Sequence, residues 1–145
     1  MSEYTLRPLL LAKPISVNGY DIDVLGIVSN IVYVRWFEDL RMHFLDTYYP
    51  FQELYKENKS PVLATTQVEY KYPLTILDKP TGFVWLSNVS KSKWECSFEI
   101  KTESKIHATG VQDGYFIDIE RKKPTRIPEK FMELYANSLD GLRST

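Results

Sequence analysis

The sequence predicts an α+β fold in which one antiparallel sheet of about five strands curls around one long apolar helix. Three observations predict it. A stretch without Gly or Pro, from about Asn30 to Asp46, carries Tyr33, Phe37, Leu40 and Phe44 at helical spacing. The half of the chain that follows alternates apolar and polar residues with a period of two, run after run. Those runs are joined by short turns and lack the βα alternation of a doubly wound sheet.

Taken in order, residues 14 to 20 offer a short strand, with Ile15 and Val17 alternating with Ser16 and Asn18, followed by a turn-prone stretch through Gly26. The long helix comes next. Ile31, Val34, Trp36 and Leu45 widen its apolar surface beyond a single stripe, so it should be largely enclosed. Arg35, Asp39 and Met42 form the remaining, solvent-facing side, with Arg35 and Asp39 four apart and able to pair. Ser29 or Asn30 can cap the amino end through its side chain. Tyr49 precedes Pro50 and is biased out of helix, and Phe51 to Asn58 suggests a short second helix.

Val62 to Tyr72 alternates over a long run, Pro73 and Pro80 bracket a loop, and Phe83 to Val89 reads as a strand. After a turn around Ser90 to Ser92, Trp94, Cys96, Phe98 and Ile100 alternate with Lys93, Glu95, Ser97, Glu99 and Lys101, which predicts one buried and one wet face. A last strand runs from Lys105 to about Arg121, with Gly110 and Gly114 marking bulges or bends; Asp113-Gly114 could instead be a hairpin turn. Pro128 and Glu129 open a terminal amphipathic helix carrying Phe131, Leu134, Tyr135 and Leu139.

At 145 residues the chain has the size of one domain, so residues 1–145 are read as a single unit with one principal site. Lys plus Arg is 18 against 19 for Asp plus Glu, which leaves no positive field to hold a phosphate backbone and excludes nucleic acid as a partner. One cysteine and two histidines offer no intrachain disulfide and too few soft ligands for a zinc cluster, so no metal is expected, and a reducing cytoplasm fits. The opening Met1-Ser2-Glu3-Tyr4 lacks the organisation of a signal peptide, and no apolar run approaches the roughly 20 residues needed to span a bilayer. No membrane partner is expected.

The chemistry concentrates between Tyr20 and Tyr33. Asp21 and Asp23 lie in a turn just before the long helix begins. The amino end of a helix presents free N–H groups and a partial positive charge, which can polarise a carbonyl and stabilise the oxyanion formed when a thioester is attacked. A carboxylate a few residues upstream can activate water or attack the carbonyl itself.

The string Asp21-Ile22-Asp23-Val24-Leu25-Gly26-Ile27-Val28, followed by Tyr33 and then Glu38-Asp39-Leu40-Arg41, resembles the signature of the 4-hydroxybenzoyl-CoA thioesterase family. The order of elements agrees over nearly the whole chain, and Arg121 to Pro128 resembles the family's strand ending. The resemblance implies a hot-dog fold and hydrolysis of an acyl-CoA or acyl-carrier-protein thioester. No cofactor is implied beyond the coenzyme A of the substrate. It implies Asp23 as the catalytic carboxylate and the Asn30 backbone N–H as donor to the thioester carbonyl. Gly26, Val28, Ser29 and Tyr33 are implied around the substrate, with Lys91, Ser92 and Lys93 near the nucleotide of coenzyme A. A homodimer or tetramer with sites at the subunit interface follows from the same likeness. The segment at Ile27, Ser29 and Asn30 departs from relatives that carry a His or an aromatic residue there, so the acyl group stays open.

Plainer readings stand beside these. Asp23 could be an ordinary turn residue, and Asp21 reads as structural. Glu38 could serve as a helix-borne acid, although pairing with Arg41 explains it too. His43 and His107 read as surface or packing residues, and Cys96 as core. The alternative function is a hot-dog domain that binds an acyl thioester without cleaving it. The adjacent His and carboxylate that a hydratase on this fold needs are absent from the motif.

Overall fold

The computed structural model describes residues 6–144, and Met1 to Tyr4, read above for targeting features, lie outside them. Helix α1 spans Asn30–Tyr48 and buries Val32, Tyr33, Trp36, Phe37, Leu40, Phe44 and Leu45. Its stripe is wide because it is wrapped. The short α2, Phe51–Lys56, follows the break at Pro50, and α3 covers Glu129–Arg143.

The strands are β1 (Leu11–Pro14), β2 (Lys59–Tyr70), β3 (Thr81–Val89), β4 (Trp94–Lys101), β5 (Ile106–Asp118) and β6 (Lys123–Thr125). They form one sheet in the order β1-β3-β4-β5-β2, with β6 added to the end of β5, and every pairing is antiparallel. The concave face turns Val84, Leu86, Cys96, Phe98, Ile100, Ala108 and Phe116 onto α1. Phe37 stacks on Phe98 with centroids 4.7 Å apart. This is the hot-dog arrangement.

The two glycines of β5 neither bulge nor turn the chain. A side-chain carbon at Gly110 would strike the Phe37 ring, and one at Gly114 would strike the Val62 carbonyl oxygen and the Trp94 indole. Both are gaps into which large neighbours fit, so the strand runs straight through Asp113 and Gly114. The irregularity lies opposite, between Leu63 and Thr65 of β2.

Other expectations shift. The first strand forms at Leu11–Pro14, ahead of the predicted 14 to 20, because the β3 edge claims it through Leu11↔Val84 to Pro14↔Thr81. Ile15 and Val17 still pack on the core, outside any ladder. Strand β4 does not have a fully wet side, since Glu99 is buried beneath the amino-terminal segment. Arg7 donates to both Glu99 carboxylate oxygens at 3.0 and 3.4 Å and lies over the Trp85 ring. On α1, Arg35 and Asp39 are exposed and no ion pair joins them among the described residues, whereas Met42 is partly buried against the core. Ile31 is exposed despite the enclosure predicted for its helix.

Candidate active site

The segment ahead of α1 is built by backbone closures. Asp21 is buried; its carboxylate accepts from the Asn18 N–H at 2.8 Å and its carbonyl accepts from the Ser29 N–H at 2.9 Å. Asp21 is therefore structural. Beyond it, Ile22 bridges Val28, the Asp23 N–H donates to the Ile27 carbonyl at 2.8 Å, and the Gly26 N–H donates to the Asp23 carbonyl at 3.0 Å. Gly26 has φ +80°, which its lack of a side chain permits.

Asp23 thus sits at the mouth of a tight hairpin that returns the chain to the helix. One carboxylate oxygen, Oδ1, accepts from the Leu25 N–H at 2.8 Å and the Ile27 N–H at 3.4 Å. This is an Asx turn, so the plain turn role is real. The other oxygen, Oδ2, takes no hydrogen bond from the described residues and the side chain is partly exposed. One oxygen fixes the group while the other is left available.

Helix α1 begins at Asn30, with Ser29 in extended backbone as its cap residue. Neither side-chain capping option is used, because Ser29 makes no cap hydrogen bond. First-turn N–H groups have no acceptor within a helix, and no acidic residue occupies this first turn to neutralise its partial positive charge. Asn30 is exposed and its carbonyl accepts from the Tyr70 hydroxyl at 3.0 Å. Tyr70 in turn meets Tyr33 edge to face. Sequence reasoning missed Tyr70 as an anchor of the helix start, since its only signal was an aromatic residue at the end of an alternating run.

Val28 and Tyr33 are placed in the core, unlike Gly26, Ser29 and Asn30. Burial pushes the Tyr33 phenol up to about 12, against the opposing effect of a hydrogen bond with the Leu74 backbone. Glu38 and Arg41 pair at 2.7 Å, and Arg41 continues inward to the fully buried Gln112. Cys96 is buried and its thiol is pushed up to about 12 by that burial, so it stays protonated and inert.

Lys91, Ser92 and Lys93 form the β3–β4 turn, closed by the Ser90 N–H to the Lys93 carbonyl at 2.8 Å. Lys91 and Ser92 edge an open shelf of about 540 Å³ with Pro124, Thr125 and Arg126, whereas Lys93 pairs with Asp113 at 3.8 Å. Within one protomer the structure does not bring them to Asp23. The Asn30 end of α1 is tied to Tyr70, whereas the turn lies by Ile127, whose N–H donates to the Lys91 carbonyl, near Phe131 and the far end of α1. Nineteen helical residues separate the two ends by roughly 28 Å.

A small apolar hollow of about 30 Å³ lies elsewhere, among Phe44, Cys96, Trp94, Phe116 and Phe131. A shallow hollow of about 350 Å³ touches Asp21 and not Asp23. The turn that holds Asp23 is open and apolar, with Val24 102% exposed and Leu25 also exposed; Ile31, Tyr70, Ile76 and Leu77 are further exposed apolar residues of the protomer, Leu77 at 86%. Among the described residues no group of His, Cys, Asp and Glu could hold a metal ion, and no helix is long and apolar enough to cross a membrane.

Residues 17–134 match the thioesterase-like superfamily. The chain belongs to that superfamily. No curated protein matches the chain by sequence. Solved structures agree in fold with these superfamily elements. A hypothetical protein from Aquifex aeolicus is 25% identical, with 86% of this chain and 98% of that one covered at a TM-score of 0.78. The DHNA-CoA thioesterase of Staphylococcus aureus is 19% identical over 93% of both chains, with a TM-score of 0.80. A further protein of the same organism, solved in complex with CoA, is 14% identical over 94% of this chain and 87% of its own, with a TM-score of 0.83.

Proposed function

We propose that the chain is an acyl-CoA thioesterase whose reaction runs between Asp23 and the amino end of α1, in a cleft completed by a second copy. The observation that carries the proposal is the position of Asp23: one oxygen held in its turn, the other unengaged, a few residues before a helix start free of acidic residues. A thioester carbonyl directed at the Asn30 N–H would have its developing negative charge met by that amide and by the helix dipole. The Asp23 carboxylate then either takes a proton from the attacking water or attacks the acyl carbon itself. In both routes the C–S bond breaks, the sulfur leaves as the thiol, and water supplies the oxygen of the free acid. No metal enters these steps, and coenzyme A enters only as part of the substrate; an acyl-carrier protein is the other thiol carrier that fits.

A second copy fits the open side. Strand β2, twelve residues long, ends the sheet with no partner strand on its outer edge, and it carries the exposed Leu63 and Tyr70. A long exposed edge is a template for another strand. The partner's β3–β4 turn could then bring Lys91, Ser92 and Lys93 toward this Asp23, which one protomer does not. A cytoplasmic location suits the single reduced thiol.

The test is thiol release from a panel of acyl-CoAs. Wild-type protein is expected to release thiol, and Asp23→Asn to lower kcat/KM at least about a hundredfold, as removal of an acid/base group does, with an unchanged circular dichroism spectrum. An Asp23→Asn enzyme with near wild-type turnover ends the assignment. Tight acyl-CoA binding without thiol release supports the alternative, a hot-dog domain that binds a thioester and does not cleave it.

A further inference from the structure

The flank of α1 that faces the free edge carries Ile31, Val34, Glu38 and Arg41, spaced three or four apart and so on one side. Opposite it, the concave face of β2 presents Tyr70, Val68 and Thr66, in register with Ala108, Gly110 and Gln112 of β5. The two walls are tied together at both ends. At the amino end of α1, the Tyr70 hydroxyl donates to the Asn30 carbonyl at 3.0 Å. Further along, Arg41 donates to the Gln112 side-chain oxygen, and the Gln112 amide donates to Thr66 Oγ1 at 3.2 Å. Between the ties the half-buried Val34 and Val68 line a strip of surface that starts beside Asn30 and borders the edge of β2 that has no partner strand.

The strip changes character along its length. Near Asn30 it is apolar, with Ile31, Val34, Val68 and Tyr70. Eight residues on, about 12 Å along the helix axis, it meets Glu38, with Arg41, Gln112 and Thr66 beyond. Helical side chains lean toward the amino end, which brings the Glu38 carboxylate nearer still. The hydrogen-bonding capacity of that far end is specific. Arg41 is committed to Glu38, to Gln112 and to the Trp94 ring. Thr66 accepts from Gln112, so its own O–H remains to donate, and the Glu38 side chain is 41% exposed with acceptor capacity left.

We infer that this strip selects the acyl group: a compact chain of about six carbons whose far end bears a neutral hydroxyl, donating to Glu38 and accepting from Thr66. A long alkyl chain would run into these polar groups and strip them of water without replacing the bonds. An acyl group ending in a carboxylate would face the Glu38 charge, with the Arg41 charge already matched. The inference rests on the thioesterase reading, because it takes the carbonyl to lie at Asn30.

The experiment compares hexanoyl-, 6-hydroxyhexanoyl- and dodecanoyl-CoA on the full chain, by thiol release and by calorimetric binding. Wild type is expected to favour 6-hydroxyhexanoyl-CoA over hexanoyl-CoA about tenfold in kcat/KM, the effect of about one net hydrogen bond, and to disfavour dodecanoyl-CoA. The hydroxyl preference is expected to collapse toward one in Thr66→Val and in Glu38→Gln, with circular dichroism and light scattering run alongside because Thr66 accepts from the buried Gln112 amide and lies on the edge strand. A wild-type preference for either plain chain, or a hydroxyl preference that survives both substitutions, overturns the inference while leaving the thioesterase reading intact. If no acyl-CoA releases thiol, the thioesterase reading fails and binding decides: a tenfold tighter Kd for the hydroxylated ligand, lost in Thr66→Val, upholds the strip, and equal Kd values sink it.

Discussion

The side of α1 that lies in the sheet and the side that faces Asp23 and β2 obey different rules. In the cradle of β3, β4 and β5, large side chains meet gaps shaped for them: Phe37 fills the space over Gly110, Leu40 that over Gly82, and Trp94 that over Gly114. Beyond the cradle the chain instead leaves Val24 and Leu25 of the Asp23 turn, and Ile76 and Leu77, in water and the β2 ladder unpaired on one side. The cradle is finished by one chain and holds the fold. The other side is unfinished, as a surface awaiting substrate and a second copy would be.

That contrast can be broken or sharpened by experiment. The largest effect belongs to the cradle: Phe37→Ala is expected to cost about 3–5 kcal/mol in chemical denaturation, and a cost under 1 kcal/mol would show that the ring is not the keystone its full burial implies. Next comes assembly. Light scattering at micromolar concentration is expected to give at least a dimeric mass, and a monomer would leave the open edge without its proposed occupant.

Alkaline pH is the third lever. Burial raises the Tyr33 phenol and the Cys96 thiol each to about 12, from 10.0 and 9.0. Both are neutral when protonated, so the folded state holds these protons more tightly than the unfolded one. Their contribution is fully present below pH 9 and falls as pH climbs from 9 toward 12. Tyr33→Phe with Cys96→Ala is expected to flatten that decline; an identical slope would place its origin elsewhere. The smallest effect belongs to the open side. Leu77→Ser, at a side chain 86% exposed, is expected to change stability by less than about 0.5 kcal/mol, and a larger loss in urea titration would mean that the loop is already covered.

Much of this was legible in sequence because it depends on local periodicity. The spacing of Tyr33, Phe37, Leu40 and Phe44 fixed the helix, and the alternation from Lys93 to Lys101 placed β4 to within one residue. The resemblance around Asp23 led to the superfamily that residues 17–134 match. The displaced first strand was not legible, because Leu11–Pro14 has no strong period of its own and is made a strand by the edge of β3. Nor was the burial of Glu99, which required Arg7 to fold back across ninety-two positions of sequence.

The sequence by itself determined the elements, the wide apolar face of α1 and the turn that sets Asp23 before a helix start, since each follows from the conformational preference of neighbouring residues. Only the tertiary structure decided that the glycines of β5 are receptacles, that Lys91 to Lys93 stand at the opposite end of α1 from Asp23, and that Thr66, Gln112 and Arg41 join across the sheet. Those are contacts between residues far apart in the chain, and no local preference encodes which side chain will come to fill which space.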